Sequence, residues 1–403
     1  MERELTLNEI YRASHVLKTT IRRTSLIVAP SVRKDCEVYI KPENLQVTGS
    51  FKVRGATYMI SRLSDEEKSR GVIASSAGNH AQGVALAASA NGINSIICLP
   101  SGAPISKVEA TRSYGAEICL VPGVYDDAYR KALQLRDERR MTFVHPFNDP
   151  MVIAGQGTIG LEILDDLPDV DAIIVPVGGG GLISGVAYAA KQLKPGIKVY
   201  GVQAAGAPSM VRSLEDGHLG RLSSVSTIAD GIAVKEPGNL TYDLCSKYVD
   251  RIITVTDDEI CAAILLLLEK HKLIAEGAGA VSVAAAKFGG LPLEGKKVAC
   301  VVSGGNVDVT ILNRIINRGL QMNGRLCTLS LELADRPGQL VGVSKIISDL
   351  GANVTGVLHR RTNTNIDVSS CILQVSMETR DREHILQIKE RLISEGFEIV
   401  AEE

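Results

Sequence analysis

Between Gly71 and Val302, short apolar runs of strand-like composition alternate with segments of helical spacing, and this alternation restricts the fold more than any other feature of the chain. Strands are predicted at Gly71–Ser75, Ser95–Leu99, Glu117–Val121 and Thr142–His145, with helices at Val84–Ala90, Ser106–Tyr114 and Tyr125–Glu138 between them. A second run has strands at Ala172–Val177, Lys198–Gln203 and Lys297–Val302, with helices at Gly157–Leu164, after Gly181, and at Asp257–His271. Such alternation implies mostly parallel sheet covered on both faces by helices. Two halves, each with its own sheet, suit 403 residues better than one very large sheet. A further helix is expected near the N-terminus, where Leu7, Ile10, Ala13 and Leu17 share one face.

The texture changes after Arg318–Gly324. Residues 326–403 read strand (Leu326–Leu333), helix (Gly338–Asp349), strand (Asn353–His359), strand (Ser369–Met377), helix (Arg382–Glu395), strand (Glu398–Ala401). That βαββαβ order is the ferredoxin-like arrangement of an α+β domain. The expected organisation is a catalytic region over 1–320, with a smaller lobe at about 47–149, then a linker at 321–325 and a small domain at 326–403.

Composition narrows the class of function. A hydrophobic fraction of 45% against 22% charged residues is that of a soluble globular protein, and a net charge of −2 gives no electrostatic case for nucleic acid or an anionic membrane. The longest apolar run, Ile260–Leu268, is too short to span a bilayer. The eight cysteines include no Cys-x-x-Cys pair, and Cys98, Cys119 and Cys300 lie in apolar context. They read as buried free thiols of a cytoplasmic protein rather than as disulfides or zinc ligands.

Three strand-to-helix turns carry candidate chemistry, all at the carboxyl ends of strands, where ligands of open α/β sheets bind. Gly178-Gly179-Gly180-Gly181-Leu182 follows the strand ending at Val177, so backbone amides can converge on a dianion with no side chain in the way. Ser75-Ser76-Ala77-Gly78-Asn79-His80 could hold a carboxylate on its amides and hydroxyls, or could be an ordinary capping loop. His80 is either a general base or a histidine packed behind the turn. Ser303-Gly304-Gly305-Asn306 is the third turn, and Glu276 either faces the same cleft or caps a helix. Lys52, between Phe51 and Val53 at the start of a predicted helix, is either an amine kept dry enough to attack a carbonyl or a lysine snorkelling to solvent. A lysine, a phosphate cup and a carboxylate loop together suggest pyridoxal phosphate acting on an amino acid. By contrast, Gly155-Gln156-Gly157-Thr158-Ile159-Gly160 matches a dinucleotide fingerprint but lacks its strand and its acidic partner, so it reads as a closely packed helix N-terminus.

Ser50-Phe51-Lys52-Val53-Arg54-Gly55-Ala56, Ser75–Gly83, Gly178–Leu182 and Ser303–Asn306 resemble the threonine dehydratases, pyridoxal-phosphate enzymes of the tryptophan-synthase-β-like class, over roughly residues 5–320. Residues 326–403, with Asp335-Arg336-Pro337-Gly338-Gln339-Leu340 at the first turn, resemble an ACT regulatory domain. The resemblance implies that Lys52 holds the cofactor and takes the Cα proton, with Phe51, Asn79, Gly178 to Leu182 and Ser303 lining the cofactor site. It implies that Ser75, Ser76, Ala77, Gly78 and His80 line the substrate site, and that the products are 2-oxobutanoate and ammonia. It further implies a homo-oligomer of two or four chains and an effector, isoleucine or valine, held by Gly338, Gln339, Leu340 and Asn353, although a domain serving only as an oligomer interface is the alternative. Serine-racemase relatives carry a serine where this chain has Ala77, and a divalent-metal site whose positions here fall at Gln203 and Ser209. No metal is therefore expected at that site, and elimination is favoured over racemisation.

Overall fold

The computed structural model describes residues 4–361 and 368–402. By their internal contacts the residues form two compact units, 1–308 and 309–403. The helix Val309–Met322 groups with the second unit, so this division lies N-terminal to the linker expected at 321–325.

Among the described residues the first unit contains ten strands: β1 (Ile27–Val28), β2 (Glu37–Pro42), β3 (Val72–Ser75), β4 (Ser95–Pro100), β5 (Glu117–Val121), β6 (Thr142–Phe143), β7 (Ala172–Pro176), β8 (Lys198–Ala204), β9 (Arg251–Val255) and β10 (Lys297–Val302). They form two sheets. The smaller, in order β5-β4-β3-β6, is parallel throughout. The larger, β1-β2-β10-β7-β8-β9, is parallel except for the short β1–β2 pair at its edge. Strands β3 and β7 are buried along their whole length, as expected of central strands covered by helices on both faces.

Pairing of β2 with β10 is the first step in building the site. Their register runs to Pro42 opposite Val302, so the chain leaving β2 toward Lys52 travels beside the chain leaving β10 at Ser303.

The glycine-rich stretch Gly155–Gly160 differs from its expected place at a helix N-terminus. It lies in the middle of a helix spanning Pro150–Asp166, which begins where the Asp149 carboxylate accepts from the Met151 and Val152 amides and Pro150 takes the first helical position. A Cβ on Gly155 would come within 2.6 Å of the Arg54 carbonyl oxygen, and one on Gly185 within 2.3 Å of the Ile153 carbonyl oxygen. The small residues let this helix pack directly on Lys52–Ser61 and Gly181–Leu193. Gln156, inside the motif, accepts from the Gly55 amide at 3.2 Å and so ties the lysine helix to this one.

The second unit adds β11 (Leu326–Ala334), β12 (Asn353–Arg360), β13 (Ser370–Glu378) and β14 (Glu398–Glu402). Their antiparallel order β12-β13-β11-β14, with helices Gln339–Asp349 and Arg382–Ser394, is the ferredoxin-like topology. Alternate residues Leu329, Leu331 and Leu333 of β11 and Leu373, Val375 and Met377 of β13 bury one face against these helices. All eight cysteines are free; Cys98 and Cys300 are buried and Cys119 is partly so. Among the described residues, no helix is long and apolar enough to cross a membrane.

Candidate active site

Lys52 opens the helix Lys52–Ser61. Its position is fixed from both sides of the chain. Upstream, the Phe51 amide donates to the Ser303 carbonyl at 3.0 Å and the Gly305 amide to the Gly49 carbonyl at 2.9 Å, zipping the lysine stretch to the turn after β10. Downstream, Arg54 is fully buried between two carboxylates, with Nε 2.7 Å from Glu43 and Nη1 2.7 Å from Glu162, while Lys41 also pairs with Glu162 at 2.5 Å. Two buried cations on two buried carboxylates balance, and the Thr24 hydroxyl and carbonyl take up further bonds to Glu43 and Lys41. The carboxylates hold the Arg54 guanidinium well above its ordinary range against the cost of burial. This network was not anticipated from the sequence, although Lys41, Glu43 and Arg54 among apolar neighbours were its trace.

The Lys52 amine donates to the Pro146 carbonyl at 2.9 Å and lies 5.3 Å from the centre of the Phe51 ring. The residue is partly exposed but its amine is enclosed, and burial pushes it down to about 8, opposed by the nearby Glu276 carboxylate. A substantial fraction of Lys52 is then neutral in mildly alkaline solution, as a nucleophile or a base requires.

Residue 147, next after the lysine's acceptor, seats the glycine turn. A Cβ on Gly179 would strike the Phe147 ring carbons at 2.4 Å, and one on Gly181 the Phe147 backbone at 2.9 Å. The turn is further tied down by the Thr241 hydroxyl, which donates to the Gly179 carbonyl at 2.6 Å. Among the described residues the amides of Gly178, Gly179, Gly180, Gly181 and Leu182 donate to no protein acceptor, and all but Gly178 are buried. Buried amides are nearly always paired. A row of them at a helix N-terminus, packed on Phe147, the residue after the lysine's carbonyl partner, fits a phosphate dianion.

The turn after β3 has the same character on a smaller scale. The amides of Ala77, Asn79 and His80 have no protein acceptor among the described residues, and the buried Ser75 hydroxyl has no partner. Ser76 accepts from the Gly78 amide at 3.1 Å. The His80 imidazole is turned away, with Nε2 2.8 Å from the Val144 carbonyl, and burial lowers it to about 3. A neutral histidine so placed offers the loop its backbone amide rather than a base.

Asn79 connects the remaining groups. Its amide donates to Glu276 at 2.7 Å, and its carbonyl accepts from Asn306 at 2.7 Å, which also donates to the Thr48 carbonyl. Glu276 makes no capping bond to the helix Gly277–Phe288 that it precedes. Burial pushes its carboxyl up to about 7, helped by Asp230 and opposed by the Asn79 bond. Ser303 is buried, its hydroxyl 3.2 Å from the Ala278 carbonyl. Lys52, Asn79, the glycine turn and Ser303 are thus gathered by four loops that follow the carboxyl ends of β2, β3, β7 and β10.

Gln203 and Ser209 serve a local structural purpose. Gln203 accepts from the Met210 and Val211 amides at 2.9 Å and so caps the helix Ser209–Asp216. In the second unit, Gly338, Gln339 and Leu340 start the helix after β11, whereas Asn353 pairs with Glu378 at the opposite end of the sheet. Within one chain the Gly338–Leu340 turn and Asn353 are therefore not neighbours.

The family described as pyridoxal-phosphate dependent enzyme matches residues 17–304. The chain is 50% identical over 397 residues to an L-threonine ammonia-lyase of Thermotoga maritima, covering 98% of this chain and 99% of that one. The fold is similar to maize serine racemase (TM-score 0.74, 36% identity, 79% of this chain and 98% of that one). It is also similar to threonine deaminase isoform 2 of Solanum lycopersicum (TM-score 0.73, 37% identity, 79% and 95%).

Proposed function

The chain belongs to the pyridoxal-phosphate-dependent enzymes, and within that family we propose that it is a threonine ammonia-lyase, converting L-threonine to 2-oxobutanoate and ammonia. The observation that carries the chemistry is the enclosed Lys52 amine, lowered to about 8, together with a row of amides that have no protein acceptor among the described residues. When bound, the cofactor supplies an electron sink for the negative charge that develops at the substrate Cα.

The protein's own groups do the rest. Lys52 would hold the cofactor, and its amine, near neutrality in the free state, would move the Cα proton. The amides of Gly178 to Leu182 would donate to the phosphate, and Phe51 and Asn79 would orient the ring. The amides of the 75–80 turn hold the substrate carboxylate, with the Ser75 hydroxyl free to join them. Ser303 would offer the ring nitrogen a hydroxyl, which would not keep that nitrogen protonated as a carboxylate would and so would favour prompt loss of the β-hydroxyl. The Cα proton and the Cβ hydroxyl leave as water. The resulting enamine takes water back on hydrolysis, so threonine yields 2-oxobutanoate and ammonia without net gain or loss of water. Ala77 has no proton to give on the opposite face, which favours elimination over racemisation.

The C-terminal βαββαβ domain is the regulatory part in this reading, responding to isoleucine or valine, with the enzyme at the head of a route to isoleucine in the cytoplasm. Because Asn353 and the Gly338–Leu340 turn stand at opposite ends of one sheet, the effector site is formed between two copies of the chain. Release of 2-oxoacid from threonine and serine, each with and without isoleucine, tests the whole reading. Threonine is expected to have the higher kcat/KM and isoleucine to change it. D-serine accumulating alongside pyruvate would instead favour a serine-racemase-like enzyme, the reading suggested by the likeness to maize serine racemase.

A further inference from the structure

The helix-covered face of the second unit ends in a cluster for which neither catalysis nor effector binding has a use. Asp335 follows β11, His359 lies near the end of β12 and Cys371 near the start of β13, so one edge of the three-strand ladder carries all of them. The register puts them on one side. Cys371 is opposite Leu333, two residues before Asp335, and His359 is opposite Leu373, two residues after Cys371. Residues two apart share a face. The Asp335 amide also bonds the Ser369 carbonyl at 2.8 Å, fixing the end of β11 against the start of β13.

The donor atoms converge. One nitrogen, one sulfur and one oxygen, from His359, Cys371 and Asp335, all lie within 4.8 Å of one another, with His359 Nε2 2.9 Å from Cys371 Sγ. Cys371 is buried while His359 and Asp335 are exposed, so the sulfur forms the floor and an ion can enter from solvent. Arg361 Nε lies 3.4 Å from one Asp335 oxygen, which leaves the other oxygen for a second partner. Thiolate, imidazole and carboxylate in one small space suit a borderline-soft, tetrahedral divalent ion, with a fourth position open to water or a further ligand.

We propose that Asp335, His359 and Cys371 form a zinc-binding site at this end of the C-terminal sheet. This revises the sequence-based expectation for one cysteine: Cys371 reads as a plain buried thiol until the antiparallel register sets a histidine and an aspartate beside it.

The test is metal uptake by the full-length holoenzyme. After removal of metal and dialysis against Zn2+, one zinc per chain is expected, and Co2+ in its place should give a thiolate-to-cobalt charge-transfer band with tetrahedral ligand-field bands. Cys371→Ser should abolish the charge-transfer band, and His359→Ala, at an exposed position that leaves the core intact, should weaken Zn2+ binding by about tenfold or more. Cys36→Ser should change neither. The proposal is overturned if uptake is below one zinc per chain, if cobalt shows no thiolate band, if folded His359→Ala binds as the parent does, or if Cys36→Ser abolishes the signal.

Discussion

Lys52 and Glu276 are displaced from their ordinary ionisation ranges in the same pocket, the lysine down to about 8 and the carboxyl up to about 7, and burial leads in both. The pair places a base and an acid near neutrality, where proton transfer is efficient. Replacing Lys52 by Ala is expected to lower kcat by about a thousandfold or more with the far-ultraviolet circular dichroism unchanged; turnover close to the parent's would remove Lys52 from the chemistry. Glu276 gives a stability prediction with a definite sign. Its folded-state value lies above the ordinary 4.5, so the buried carboxyl costs nothing below about pH 4.5, and the penalty grows as pH rises to about 7 and then levels off. Glu276→Gln removes that penalty while still accepting from Asn79. It should therefore raise stability over the parent at pH 8 by up to about 3 kcal/mol and little at pH 5, read from urea unfolding at both values. The glycine turn, Asn79 and Ser303 were legible in the sequence because each depends on short contiguous motifs. The cleft-facing role of Glu276 was one of two open readings, since only the fold shows that its carboxylate meets Asn79 rather than its own helix.

At the scale of elements, the stretch Gly155–Gly160 shows how a local pattern misleads when its context is read too narrowly. Asp149-Pro150 is an N-cap followed by proline at the first helical position, a start signal that puts the glycines inside the helix rather than at its beginning. What the pattern encodes is close approach. The helix Pro150–Asp166 crosses Gly181–Leu193 where the Ile153 carbonyl oxygen would stand 2.3 Å from a Cβ at position 185, and the clashing atom is backbone that cannot rotate away. Gly185→Ala is expected to destabilise the enzyme by about 1–3 kcal/mol through forced separation of these helices, lowering the urea midpoint without changing the slope. Because Gln156 on the same helix is bonded to the lysine helix through the Gly55 amide, the variant should also weaken cofactor retention. A midpoint equal to the parent's would show that the crossing is looser than the geometry states. The buried network of Lys41, Glu43, Arg54 and Glu162 belongs to this scale as well. Glu162 lies far along the chain from the other three, and no short-range pattern joins them; only the packing of the lysine helix on Pro150–Asp166 does.

For the molecule as a whole, alternating strands and helices and then a βαββαβ tail were enough to read two parallel-sheet lobes and a ferredoxin-like domain, because hydrophobic period and element order are local properties. Which loops meet was less accessible, as it depends on strand order, and the expected effector contacts are the instructive case. Gly338–Leu340 and Asn353 are close in sequence, yet the helix Gln339–Asp349 between them runs the length of the sheet and sets them at its two ends. An effector touching both must then bridge two chains, the turn from one and Asn353 from the other. This has a consequence that a site within one chain would not share. Leu340→Glu, which sets a carboxylate against that of the amino acid, and Asn353→Ala are each expected to abolish the response of activity to isoleucine. When the two variants are co-expressed and mixed oligomers isolated, each mixed pair contains one site with both elements intact, so about half of the response should return. No return in the mixed oligomers would place the effector within a single chain, or leave the domain only an assembly surface.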